Sequence, residues 1–166
     1  MLPLLLPLVA DAAAQDWPWW RGVDRDGKVS GFVGPSSWPA TFTQRWRVPV
    51  GAGDATPALV GERLYAFGRR DDTEVVFCLD ATQGNELWRY AYPAARVTGP
   101  AEKYAGPRSS PAVAHGKIVV LGVGGVLTCL DAATGQVVWR HEALAPALPT
   151  PTPTPVANRG WTVTFA

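Results

Sequence analysis

Charge is sparse in this 166-residue chain: Asp, Glu, Lys and Arg make up 17% of it, and the formal net charge is +1. The basic residues are scattered, which leaves no electrostatic footprint for nucleic acid or for an anionic membrane surface. Two histidines, His115 and His141, and two cysteines without CxxC spacing provide no ligand set for a structural metal. GxSxG, HExxH, phosphate-loop and paired-carboxylate patterns are all missing, so no catalytic residue is assigned. No apolar run reaches the roughly 20 residues needed to cross a bilayer as a helix, and long helical periodicity has little support.

The chain is instead rich in residues that begin, turn and pack short strands. Hydrophobic residues make up 47%, with 17 Gly, 16 Pro and 8 Trp. Brief apolar stretches separated by Gly, Pro, Asp and Asn read as many short strands joined by turns, an all-β pattern. At the start, the apolar run Met1 to Leu8 is followed by the small residues Val9 to Gln15. This order resembles a secretory signal over residues 1–15 and predicts export to the periplasm, the cell surface or the medium. Pro3 and Pro7 argue against a regular buried element there.

An internal repeat organises the remainder. Thr56-Pro57-Ala58-Leu59-Val60 matches Ser110-Pro111-Ala112-Val113-Ala114, and Cys78-Leu79-Asp80-Ala81 matches Cys129-Leu130-Asp131-Ala132. Gly84 then matches Gly135, and Trp88-Arg89 matches Trp139-Arg140. Trp46-Arg47 is a further copy upstream, and Thr154-Pro155-Val156-Ala157 restarts the unit downstream. The corresponding Trp and Pro residues recur every roughly 40 to 55 residues, the period of a four-stranded propeller blade. Within the first unit the predicted strands are 58–60, 63–67, 75–79 and 86–90. Cys78 and Cys129 hold equivalent places on adjacent units, which should set them too far apart for a disulfide; two packed free thiols are predicted.

The last turn of each unit has a physical reason for its composition. The Asp80 and Asp131 carboxylates can accept hydrogen bonds from the turn amides, while Gly84 and Gly135 supply positive φ. Trp88 and Trp139 follow on the last strand, where an indole face can cover the adjacent blade and its N–H needs an acceptor.

Asp-Ala-x-Thr-Gly-x-x-x-Trp, complete from Asp131 through Thr134 and Gly135 to Trp139, resembles the tryptophan docking motif of PQQ-like, quinoprotein-type β-propeller repeats. In the copy from Asp80 to Trp88, Gln83 stands where the motif has Thr. Trp17-Pro18-Trp19-Trp20-Arg21-Gly22 and Asp24-Arg25-Asp26-Gly27 resemble the opening of exported proteins of this family. The resemblance implies a partial β-propeller of four-stranded antiparallel blades over residues 46–166, with units at about 54–90, 108–142 and 152–166. Residues 16–45 form an N-terminal extension. Two nearly complete blades and the start of a third do not close a ring, and the ending at Thr164-Phe165-Ala166 reads as a truncation inside a strand.

For function, strand parity puts the second-to-third turn and the blade-to-blade connection at one end of each sheet. The irregular loop lengths fall there, and the face carries Arg69, Arg70, Tyr92, Arg96, Lys103, Tyr104 and Arg108 as candidate binding residues. The reading is a non-catalytic interaction scaffold with a protein partner or a small ligand and no required cofactor. The alternative implied by the family is a portion of a PQQ-dependent dehydrogenase, using PQQ with calcium. The adjacent cysteine pair of those enzymes does not occur in this chain. Asp24-x-Asp26-Gly27 shares two positions with a calcium loop and reads as a solvated turn.

Overall fold

The computed structural model describes residues 15–94, 96–142 and 161–165, the last five by their backbone alone. Apart from Gln15, the expected export signal lies outside the described residues, as does most of the third unit. Strand β1 is Trp46–Gly51. It is followed by β2 (Ala58–Val60), β3 (Arg63–Arg70), β4 (Thr73–Asp80) and β5 (Glu86–Pro93), hydrogen-bonded in that order. A 3-10 turn at Gly99–Tyr104 lies in the connector to the second sheet. That sheet repeats the same order with β6 (Ala112–Ala114), β7 (Lys117–Leu121), β8 (Leu127–Asp131) and β9 (Val137–His141). Finally β10 (Trp161–Phe165) pairs antiparallel with β1 in a separate two-stranded sheet, Trp46 opposite Phe165.

Both four-stranded sheets are antiparallel meanders, the architecture of adjacent propeller blades. Their ladders share one defect: the register shifts between Cys78 and Leu79 in the first and between Cys129 and Leu130 in the second. A bulge inserted at the same place twice redirects the outer strand toward its Asp/Gly turn in the same way.

One loop expectation is corrected. The first unit is longer between its second and third strands, yet the extra residues extend the ladder of β3 and β4 out to Arg70↔Thr73. Only Asp71 and Asp72 remain as the turn, with Asp71 at φ 52, a left-handed position that Asp tolerates better than most residues. Arg69 and Arg70 are therefore strand residues.

Period-2 alternation assigns the two faces of the first blade. Leu64, Ala66, Val75, Phe77 and Leu79 pack with Trp46 and Val50 of β1. Tyr65, Phe67, Val76, Cys78 and Tyr92 pack instead with Val113, Ile118, Val120, Leu130 and Ala132 of the second blade. A strand buried on both faces carries a nearly continuous apolar run, which is why β3 and β4 show six consecutive buried positions each. At roughly 1.5–3 kcal/mol per fully buried large aliphatic side chain, these interfaces dominate the stability of the pair.

The tryptophans fasten one sheet to the next. Trp46 Nε1 donates to the Ala81 carbonyl at 3.0 Å, and Trp88 Nε1 donates to the equivalent Ala132 carbonyl at 3.2 Å. Each indole lies on the glycine of the turn it meets: a Cβ on Gly84 would stand 2.7 Å from the Trp46 ring, and one on Gly135 would stand 2.5 Å from the Trp88 ring. The glycines thus serve the turn through their positive φ (74° in both) and also clear a seat for the preceding tryptophan. Trp139, the third copy, is 38% exposed, against 8% for the docked Trp46.

Asp80 Oδ1 accepts from the Thr82 and Gln83 amides, each at 2.8 Å. Asp131 Oδ1 accepts from the Ala133 and Thr134 amides at 3.0 and 3.1 Å and from the Thr134 hydroxyl at 3.1 Å. Lys117 Nζ lies 3.0 Å from Asp131 Oδ2. That ammonium first, then the Thr134 hydroxyl and the turn amides, hold the Asp131 carboxyl down at about 2.

Gly135→Ala should cost about 3 kcal/mol in chemical denaturation, because left-handed strain and a clash with Trp88 add. Gly116→Ala meets open space at a similar φ and should cost only about 1 kcal/mol. The depressed Asp131 pKa means that the unfolded chain, titrating near about 4, takes the proton first. The stabilisation is complete above that pH and is lost as pH falls toward 2. Denaturation midpoints measured across that window should fall less steeply in Asp131→Asn than in the unaltered chain.

Candidate functional site

The connector between the sheets is held at both ends by elements outside it. At its start the Ala94 amide donates to the Asp72 carbonyl at 2.8 Å, and Arg69 Nη2 donates to the Ala94 carbonyl at 3.2 Å. At its end the Asp54 amide donates to the Pro107 carbonyl at 2.9 Å, and the Thr56 amide donates to Ser110 Oγ at 3.0 Å. Gly106 allows this second contact, since a Cβ there would run into the Ala52 carbonyl. The intervening stretch carries the 3-10 turn and exposes Arg96, Lys103, Tyr104 and Arg108. The Arg108 guanidinium lies 5.7 Å from the Tyr104 ring centre, a cation–π arrangement, while Arg96 pairs with Glu102 at 3.3 Å.

The sequence-predicted binding residues divide into three groups. Arg96, Lys103, Tyr104 and Arg108 share the exposed connector. Arg70 is exposed but turns toward β1, its guanidinium 4.7 Å from the Phe77 ring and donating to the Pro49 carbonyl at 2.5 Å. Arg69 and Tyr92 are corrected from loop surface to interior, being 5% and 2% exposed. The physical reason is the lengthened hairpin, which carries Arg69 onto β3 and leaves Tyr92 opposite Glu74 on β5. Arg69 closes the hairpin, its Nε donating to the Asp71 carbonyl at 2.7 Å.

Three participants in the seam were not among the predicted binding residues. Glu74, fully buried, accepts from the Tyr92 hydroxyl at 2.5 Å and from the Val123 amide at 2.9 Å. Arg140 of the second blade stacks 4.6 Å from the Tyr92 ring centre and donates to the Tyr90 hydroxyl at 3.2 Å. Gly122 lies where any Cβ would collide with the Glu74 carboxylate and the Tyr92 hydroxyl. Burial first, then the Glu74 carboxylate, push the Tyr92 phenol far above its ordinary range, so it serves as a fixed donor. Glu74 sits in an apolar run next to a turn, and only its cross-strand pairing with Tyr92 identifies its role.

At the other end of the seam, a cleft of about 640 Å³ opens between the blades, lined in part by Trp19, Arg63, His115, Lys117 and Asp131. Its charged groups are internally engaged: Arg63 donates to the Ala132 and Ala133 carbonyls, and Lys117 pairs with Asp131. His115 sits in the exposed β6–β7 turn at φ 49. Among the described residues, no group of three or more His, Cys, Asp or Glu is placed to hold a metal ion.

A family model described as outer membrane protein assembly factor BamB, of the PQQ_2 type, matches residues 37–165. The chain belongs to the PQQ-like repeat family. The quinohemoprotein alcohol dehydrogenase ADH IIB of Pseudomonas putida is 34% identical over 74 residues, covering 45% of this chain and 11% of that protein. The solved quinohemoprotein alcohol dehydrogenase from Comamonas testosteroni superposes with a TM-score of 0.52 at 23% identity, over 78% of this chain and 20% of the other. BamB from Moraxella catarrhalis aligns over 51% of this chain and 22% of its own, at 20% identity and a TM-score of 0.36. The PQQ-like chain therefore spans between about a tenth and a quarter of the relatives it matches. Among the described residues no helix is long and apolar enough to cross a membrane.

Both cysteines are free and buried, Cys78 in the core shared by the two blades. Burial pushes the Cys78 thiol up to about 11, and Cys129 is raised by burial as well. A thiolate-selective reagent at about pH 8 should leave both untouched in the folded chain and modify both after denaturation.

Proposed function

We propose that this chain is part of an exported PQQ-like β-propeller acting as a non-catalytic interaction scaffold. Its partner surface is the connector bearing Lys103, Tyr104 and Arg108. The observation that carries this reading is the fastening of that connector at both ends, to the Asp71–Asp72 turn and to residues 52–56. A loop already ordered by its scaffold loses less conformational entropy on docking. Tyr and Arg are also the residue types that concentrate binding energy at protein interfaces. A protein partner presenting a carboxylate beside an apolar spot fits the paired Tyr104 and Arg108. Export rests on the leader pattern of residues 1–15.

The identity to ADH IIB supports a second reading, a portion of a PQQ-dependent dehydrogenase. When bound, the quinone would accept substrate electrons beside its calcium ion. The described residues do not fit that group: they present no metal-holding cluster, and Cys78 and Cys129 are buried on separate sheets. Its site would be built from residues outside those described.

A photo-crosslinking residue at Tyr104 in expressing cells should trap one defined adduct, and the same residue at exposed Leu87 on β5 should not. Combining Lys103→Glu with Arg108→Glu should cut the adduct at least about fivefold, the loss of about 1 kcal/mol of binding. No adduct at Tyr104 would remove the scaffold reading. Dye-linked alcohol oxidation on adding PQQ and calcium to the full-length protein would replace it with the dehydrogenase.

A further inference from the structure

Strands β2 and β6 are the first strands of their sheets, so each pairs along one edge and, among the described residues, leaves the other without a strand partner. These two edges approach each other across the seam. The extension preceding the repeats runs over both. Trp17 forms an antiparallel bridge with Leu59: the Trp17 amide donates to the Leu59 carbonyl at 2.7 Å, and the Leu59 amide donates to the Trp17 carbonyl at 2.9 Å. One residue later the chain changes sheets, the Pro18 carbonyl accepting from the Val113 amide at 2.8 Å. One residue earlier, Asp16 Oδ1 accepts from the Gly61 amide at 2.7 Å.

Three consecutive residues thus satisfy main-chain groups on two blades. Each residue type suits its place. The carboxylate caps a turn amide, the bridging residue uses both main-chain groups on one edge, and proline brings only a carbonyl to the next edge. Behind them the chain folds back so that Gly22, buried at φ 75, lies beneath the Trp17 ring. A Cβ at Gly22 would stand 2.6 Å from that ring. The Gly22 amide closes the turn on the Trp19 carbonyl at 3.0 Å.

We propose that the free edges of β2 and β6 form one strand-accepting groove for an extended Asp-Trp-Pro peptide. Residues 16–22 occupy it in cis as a strap fastening the two blades at the edge away from Trp88. The ligand class is an extended peptide bound by strand addition, read mainly through its main chain. The groove is separate from the connector of the scaffold reading and stands or falls independently of it.

The test is residue-resolved amide hydrogen exchange on the full chain, because the Leu59 and Val113 amides have their acceptors in the strap. In the unaltered protein both should be protected. Gly22→Ala, which drives a methyl into the Trp17 ring, should raise exchange at both at least about tenfold and leave Phe77 and Leu130, inside the sheets, little changed. A synthetic peptide of residues 15–27 added to that variant should restore protection, whereas the same peptide carrying Trp17→Ala should not. If Gly22→Ala also exposes Phe77 and Leu130, Trp17→Ala in the protein carries the comparison, since it removes the ring without straining Gly22. Unprotected Leu59 and Val113 in the unaltered protein would overturn the proposal. So would protection persisting in both variants, protection lost throughout both sheets in both, or no rescue by peptide at millimolar concentration.

Discussion

The structure depends on an indole ring that must find both an apolar seat and a hydrogen-bond acceptor on the neighbouring sheet. The Asp/Gly turn meets both needs within a few residues. Its carboxylate takes up the turn's own amides, and the carbonyl of the alanine after the aspartate, Ala81 or Ala132, receives the incoming N–H. Its glycine leaves the ring room. A buried indole N–H without an acceptor would cost about 1–3 kcal/mol, so seat and acceptor have to come together. This one contact links the spacing of Asp, Gly and Trp to the stacking of whole sheets.

Stacking on both faces then constrains the middle of each blade. The first blade lies between β1 and the second blade, so β3 and β4 have nowhere to place an unpaired polar group. The polar residues that do occur there are engaged: Glu74 by a hydroxyl and an amide, Arg69 by carbonyls around the hairpin it closes. Buried polar groups of this kind help to fix register, because sliding a strand would strand each of them without its partner. The long connector gains its order from the same region, beginning at that hairpin and ending against residues 52–56.

The blade itself was legible in the sequence because its signals are local and repeated. Turn residues, strand alternation and the Trp after the Asp/Gly turn each appear in both copies, and the pairing of β2 to β5 and β6 to β9 follows from them. What escaped was set by contacts between segments far apart in the chain. An unequal loop length between β3 and β4 cannot say whether residues extend the ladder or bulge from it, so Arg69 and Tyr92 were read as surface. Glu74 fell outside the predicted strand 75–79, and its partners Tyr92 and Val123 come from another strand and another blade. The strap is carried mostly by backbone hydrogen bonds, which leave little compositional trace. Even the glycines were half understood: their φ was legible, and the ring lying on each was not.

The Ala132 carbonyl receives Trp88 Nε1, the Tyr65 hydroxyl at 3.0 Å and an Arg63 nitrogen at 3.1 Å. Three donors from two strands of one blade triangulate a single atom of the next. A lone contact would let the second sheet swivel about it; a tripod leaves no such pivot. In a ring assembled from successive units, small angular errors accumulate from one unit to the next, so a joint machined this tightly keeps the last gap the right width for the circle to shut.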